Sequence, residues 1–185
     1  MKEFQTRRTE HDIDPIFLQR WSPRSYQDKE VPEDVLMRLF EAARWAPSAN
    51  NRQPWRFIVA RKPEDRERFY SFINERNRQW CEKAPVLAML ISDTEFPVSP
   101  FDSGTAWGFL ALQAAREGLI THAIGGFDKQ QATEVLGIPE SFEPRIIIAI
   151  GYQGEKEALP EDFQARELPS DRRALEETVM EGRFQ

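Results

Sequence analysis

Ala46-Pro47-Ser48-Ala49-Asn50-Asn51-Arg52-Gln53-Pro54-Trp55 sets two rigid prolines around five hydrogen-bonding side chains. Each proline locks φ and removes a backbone donor. Upstream, Val35, Leu36, Leu39, Phe40, Ala42, Ala43 and Ala46 recur at helical spacing. Val31-Pro32-Glu33-Asp34 supplies that helix with a start, proline in the first turn and acids at the positive end of the dipole. Downstream, Trp55 to Ala60 reads as a strand. The stretch is therefore a helix-to-strand connection carrying more amides than a plain turn requires.

Beyond it lies a charged helix or helix pair, from Pro63 to about Cys81, with Phe69, Phe72, Ile73 and Trp80 facing inward. Ala84-Pro85-Val86-Leu87-Ala88-Met89-Leu90-Ile91 is apolar without alternation, as in a strand covered on both faces. After a loop at 93–101, Asp102 or Ser103 is expected to cap a helix running to Glu117 and stopped by Gly118. Its residues are apolar nearly all round, which suits the middle of a fold or a subunit interface, the latter attractive in a chain with little interior. A short strand, Leu119 to Ile124, leads to Gly125-Gly126-Phe127-Asp128, where Asp128 reads as the cap of a helix ending at Gly137. Arg145 to Tyr152 reads as a central strand. Residues 153–170 form an acidic tail expected to lie across a surface, and Arg172-Arg173 open a last helix, Ala174 to Glu181. Residues 1–14 are read as a polar tail and 15–185 as one domain.

The chain has 185 residues, 40% hydrophobic and 30% charged, enough for a sizeable core. A net charge of −6 argues against non-specific binding to nucleic acid. No apolar run approaches the roughly 20 residues of a membrane helix, and the first ten residues do not resemble a signal peptide. Cys81 stands alone, which points to a reducing cytoplasm. His11 and His122 lie in no ligand motif, so no metal site is expected. Neither a dinucleotide fingerprint, a phosphate-binding Walker loop nor a catalytic triad is present. What remains is a set of arginines, amides and paired glycines suited to a flat anionic ligand that brings its own chemistry.

These pieces occur in a particular order. Arg20-Trp21-Ser22-Pro23-Arg24 comes first, then the 46–55 stretch, then Asn77 before Ala84-Pro85. Gly125-Gly126-Phe127-Asp128, Ile148-Ala149-Ile150-Gly151-Tyr152 and Arg172-Arg173 follow. The set resembles the nitroreductase family of FMN-dependent oxidoreductases, from about residue 16 to the C-terminus. The resemblance implies an α+β sandwich, a small and largely antiparallel sheet wrapped by helices, in an intertwined homodimer with FMN at the subunit interface.

Position by position, it implies that Arg20 and Ser22 bind the phosphate and ribityl chain of FMN. Trp21, between them, departs from the basic or polar residue of many relatives. Arg24 would approach the pyrimidine edge. Pro47, Ser48, Ala49 and Asn50 of the second chain would line the ring. Asn77 would hydrogen-bond the pyrimidine end, Gly125 and Gly126 would offer backbone N–H groups near N5, and Arg172 with Arg173 would complete the phosphate clamp. No catalytic side chain is implied: NADH or NADPH gives hydride to N5, and a small acceptor such as a nitroaromatic or quinone is then reduced in the same space. Alternative uses of the scaffold are dehalogenation, enone reduction, flavin fragmentation and non-catalytic flavin binding.

Overall fold

The computed structural model describes residues 7–184. A short helix, α1 (Ile16–Gln19), precedes α2 (Glu33–Arg44), which begins after Pro32 and ends before Pro47 as its sequence signals require. Then come β1 (Trp55–Ala60), the helix pair α3 (Pro63–Tyr70) and α4 (Glu75–Cys81), and β2 (Val86–Asp93). The long helix α5 (Ser99–Arg116) is followed by β3 (Ile120–Ile124), α6 (Lys129–Leu136), β4 (Phe142–Gly151) and one-turn α7 (Glu161–Gln164).

The strands form one antiparallel sheet in the order β1-β2-β4-β3. Alternate residues of a strand point to opposite faces. Val86, Ala88 and Leu90 of β2, with Ile148 and Ile150 of β4, pack against Leu36, Leu39 and Ala43 of α2 and Ala106, Leu110 and Ala114 of α5. Leu87, Met89 and Ile91, with Ile147 and Ala149, pack on the other side against Phe69, Phe72, Ile73 and Trp80. Helices cover both faces, so β2 is apolar without alternation from Val86 to Ile91. The fold is the expected α+β sandwich. A register shift between Leu90 and Ile91 lets Pro144, which has no N–H to donate, sit inside β4.

Strand β4 begins at Phe142, ahead of the expected Arg145, and two helices differ more from expectation. Helix α5 starts at Ser99, with Pro100 in its first turn, so Asp102 lies inside the helix and does not cap it. Its carboxylate accepts the backbone N–H of Ala49 at 3.0 Å, a long-range partner invisible to local pattern. The last helix, expected over 174–181, is only a 3-10 turn at Leu175–Glu177, and its residues are exposed. With no face to bury, a segment this short does not hold a helix. Of the expected tail 1–14, residues 1–6 lie outside the described residues.

Candidate functional site

The 46–55 stretch forms a loop in which Asn50, Asn51 and Gln53 have φ of 52°, 55° and 52°. Three non-glycine residues in the left-handed region within four positions is a strained arrangement. It is braced from within and without. Ser48 Oγ accepts the Gln53 N–H at 3.0 Å, Gln53 Nε2 donates to the Asn51 carbonyl at 3.0 Å, and Asp102 holds Ala49. Pro47 and Asn50 are exposed, Ser48 and Ala49 half-buried. The loop thus presents its polar edge outward on a fixed frame.

At the opposite edge of the sheet, a cleft of about 460 Å³ is lined by Phe17, Arg20, Ser22, Trp107, His122 and Ala123, with the small residues of α5 as its floor. Arg20 lies just after α1, and its guanidinium is pulled below its ordinary pKa by burial and then by the charge of Arg172. Arg172 comes from the far end of the chain. It is exposed and donates to the Ser170 carbonyl at 3.3 Å and hydroxyl at 3.2 Å. The fold therefore brings Arg20, Ser22 and Arg172 into one neighbourhood. Arg173 is exposed and Trp21 half-buried.

Arg7 is the residue that pattern reading missed. Its guanidinium donates to the carbonyls of Leu18 and Arg20, both at 2.8 Å, and to that of Ser170 at 3.0 Å. Its pKa is lowered by burial, then by Arg172 and Arg20, with Asp171 opposing. No motif marks it, because its partners lie 11, 13 and 163 residues away.

From the arginines the site continues along β3. His122 Nδ1 donates to the Pro23 carbonyl at 3.0 Å. Because a carbonyl only accepts, this fixes the Nδ1–H tautomer. Burial lowers the His122 pKa to about 4, so the ring is neutral. It packs on Trp80 with centroids 4.5 Å apart. Directly after β3, Gly126 meets the two asparagines. Its carbonyl accepts the Asn74 N–H at 3.2 Å and the Asn77 side-chain amide at 3.4 Å. A Cβ on Gly126 would come within 2.1 Å of Asn74 Nδ2 and 2.8 Å of Asn77 Nδ2. Gly125 is exposed, with open space where a Cβ would stand.

Arg24 does not line the cleft. Its guanidinium lies 3.6 Å from buried Glu167 and 5.9 Å from the centre of the Phe163 ring. A larger cavity of about 820 Å³ lies elsewhere, between 26–31, the start of α3 and 82–86, and holds none of the candidate residues. Its cations are interleaved with Asp28, Glu30 and Glu82. Among the described residues, no group of three or more His, Cys, Asp or Glu is placed to hold a metal ion. No helix among them is long and apolar enough to cross a membrane.

The donor set fits FMN chemically. Guanidinium and hydroxyl groups suit a phosphate, and amides suit the pyrimidine edge of a flavin. From His122 to Gly126 the chain spans about 13 Å at the rise of a strand, enough to separate the two ends of an extended ligand.

Comparison with known proteins agrees. The nitroreductase family model matches residues 17–79 and 73–152. The chain is similar to a protein from Thermus thermophilus named NADH dehydrogenase, 28% identical, covering 89% of this chain and 95% of that one. It is 31% identical to an NADH dehydrogenase/NAD(P)H nitroreductase homologue from Methanothermobacter thermautotrophicus, over 78% of each chain. A crystal structure described as an oxidoreductase containing FMN superposes with a TM-score of 0.94 at 38% identity, covering 100% of this chain and 99% of the other. The chain belongs to the nitroreductase family, a family of oxidoreductases.

Proposed function

We propose that this protein is an FMN-dependent oxidoreductase that works as a homodimer, drawing on NADH or NADPH and reducing a small acceptor such as a nitroaromatic or quinone. The observation that carries this reading is the cleft lined by Arg20 and Ser22, with Arg172, distant in sequence, close enough for its charge to act on Arg20. Like charges at close range repel, and a phosphate monoester relieves that repulsion.

Bound FMN would supply the hydride chemistry, and the protein's part is binding, orientation and electrostatics. Arg20, Ser22 and Arg172 would hold the phosphate, with Arg173 and the Trp21 backbone alongside. Asn77 would take the pyrimidine edge, and Gly125 and Gly126 would turn the backbone beside the ring. Neutral His122 would flank the ligand without adding charge. In this chain Arg24 is engaged by Glu167, so reaching the ring would require it to leave that pair.

Two features of the geometry support the dimer. The loop carrying Pro47, Ser48, Ala49 and Asn50 precedes β1, and the arginine cleft adjoins β3, at opposite edges of a four-stranded sheet. Three strand spacings separate those edges by about 14 Å. The loop of a second chain can complete the cleft of the first. Met37 and Trp45 of the α2 region and Phe101 and Phe109 of α5 are exposed large apolar side chains on the helices that pack together on one face. Such exposed residues suit a partner surface.

The test is an anaerobic absorbance spectrum of the purified protein, recorded before and after NADPH and then NADH. Yellow protein that bleaches with a donor and recovers with a nitroaromatic or quinone is the expected result. Colourless protein that cannot be reconstituted with FMN would overturn the reading.

A further inference from the structure

We propose that Arg7 is a positioning residue of the anion clamp, its guanidinium fixing the loop that carries Arg20 to the tail that carries Arg172 so that both serve one phosphate. This rests on the FMN reading above and adds a residue outside the motifs.

Arg7 joins three carbonyls from two segments. Those of Leu18 and Arg20 lie at the C-terminal end of α1, where backbone carbonyls have no helical partner. The third, Ser170, is 163 residues away and also accepts from Arg172. The Ser170 carbonyl is thus shared by Arg7 Nε and Arg172 Nη1, at 3.0 and 3.3 Å. A second tie lies beside the first: the Leu175 N–H donates to Glu10 Oε1 at 2.8 Å. Arg172 to Val179 are all exposed, so these ties are not backed by a buried face over that stretch.

The arrangement gathers charge. Burial first, and then the charge of Arg172, lowers the pKa of both Arg7 and Arg20; Arg20 also lowers that of Arg7, where Asp171 is the carboxylate that opposes the shift. An unliganded clamp is held against repulsion, and an anion would relieve it. Arginine suits the task because its planar fork carries five N–H donors in fixed directions, three of them used on these carbonyls. Lysine would keep the charge but lose the fork.

The experiment compares wild type, Arg7→Ala and Arg7→Lys, as full-length protein stripped of bound flavin, each titrated with FMN and with riboflavin, which lacks the phosphate. Trypsin cleavage after Arg172 and Arg173 is followed with and without FMN. The expected result is a loss of FMN affinity of about tenfold or more in both variants, with riboflavin affinity changed by less than about threefold. FMN should slow tail cleavage in wild type and do so less in the variants. Three outcomes overturn the proposal: FMN affinity unchanged in Arg7→Ala, restoration by Arg7→Lys, or equal loss for both flavins with a lowered melting temperature. Wild type that binds neither flavin would instead overturn the FMN reading, and this inference with it.

Discussion

Gly126 and Asn74 are locked face to face: a methyl group on Gly126 would lie 2.1 Å from Asn74 Nδ2. Asn74 cannot swing away freely, because its Oδ1 caps α4 by accepting the Asn77 N–H at 2.9 Å. Gly126→Ala should therefore cost about 1 kcal/mol, the worth of a helix cap. Urea unfolding of Gly126→Ala, Asn74→Ala and the double variant would show it. The costs should be clearly less than additive, since both changes lose the same cap. Full additivity would break the link between glycine and cap.

Gln53 holds φ of 52°, which the side chain tolerates poorly. Gln53→Gly should raise stability by up to about 1 kcal/mol, and Gln53→Val should lower it by about 1–2 kcal/mol, since a β-branched residue resists that region most. Thermal unfolding of the pair is the check. Opposite signs for the two are the essential point.

Glu167 is buried and its Oε1 accepts the backbone N–H groups of Arg24 and Ser25 at 2.5 and 3.0 Å. Glu167→Ala would strand two donors and uncouple Arg24, with an expected cost of about 3 kcal/mol. Chemical denaturation of Glu167→Ala and Glu167→Gln would test this. Glutamine keeps an accepting oxygen, so its cost should be distinctly smaller.

His122 titrates near 4 in the folded chain and near 6.5 when unfolded. The unfolded state therefore takes up the proton first as pH falls. His122 favours folding in full above about pH 6.5, and its contribution drains away between about 6.5 and 4, up to about 3 kcal/mol in all. His122→Phe should flatten the stability profile in that window and leave its shape above pH 7 unchanged. An equally steep fall in the variant would mean that another group drives it.

Arg20 carries the strongest expectation for ligand binding. Arg20→Ala should weaken FMN by about 1.5–3 kcal/mol, the range for losing a charged hydrogen-bond partner. Fluorescence titration would measure it. Riboflavin should bind nearly as before, and unchanged FMN affinity would remove Arg20 from the clamp.

Much of this protein was legible along the chain. Pro32 and the acids after it start α2, the apolar run Val86–Ile91 of β2 announces a strand buried on both its faces, and Asp128 and Gly137 bound α6 as a side-chain cap and a left-handed stop. The strained 46–55 loop was visible as an excess of amides between prolines. All of these signals act over a few residues, through sterics, caps and periodic burial, so the sequence alone determined them. Only the tertiary structure decided which distant groups meet. Asp102 leaves the cap to hold Ala49, Arg24 turns to Glu167, and Arg7 reaches Ser170 across 163 residues. The tail after Arg172 forms only a 3-10 turn, because its residues from Arg172 to Val179 are exposed and bury no helical face. Those contacts depend on where a four-stranded sheet places its edges and chain ends. No local propensity encodes that, because the partners are neighbours in space and not in sequence.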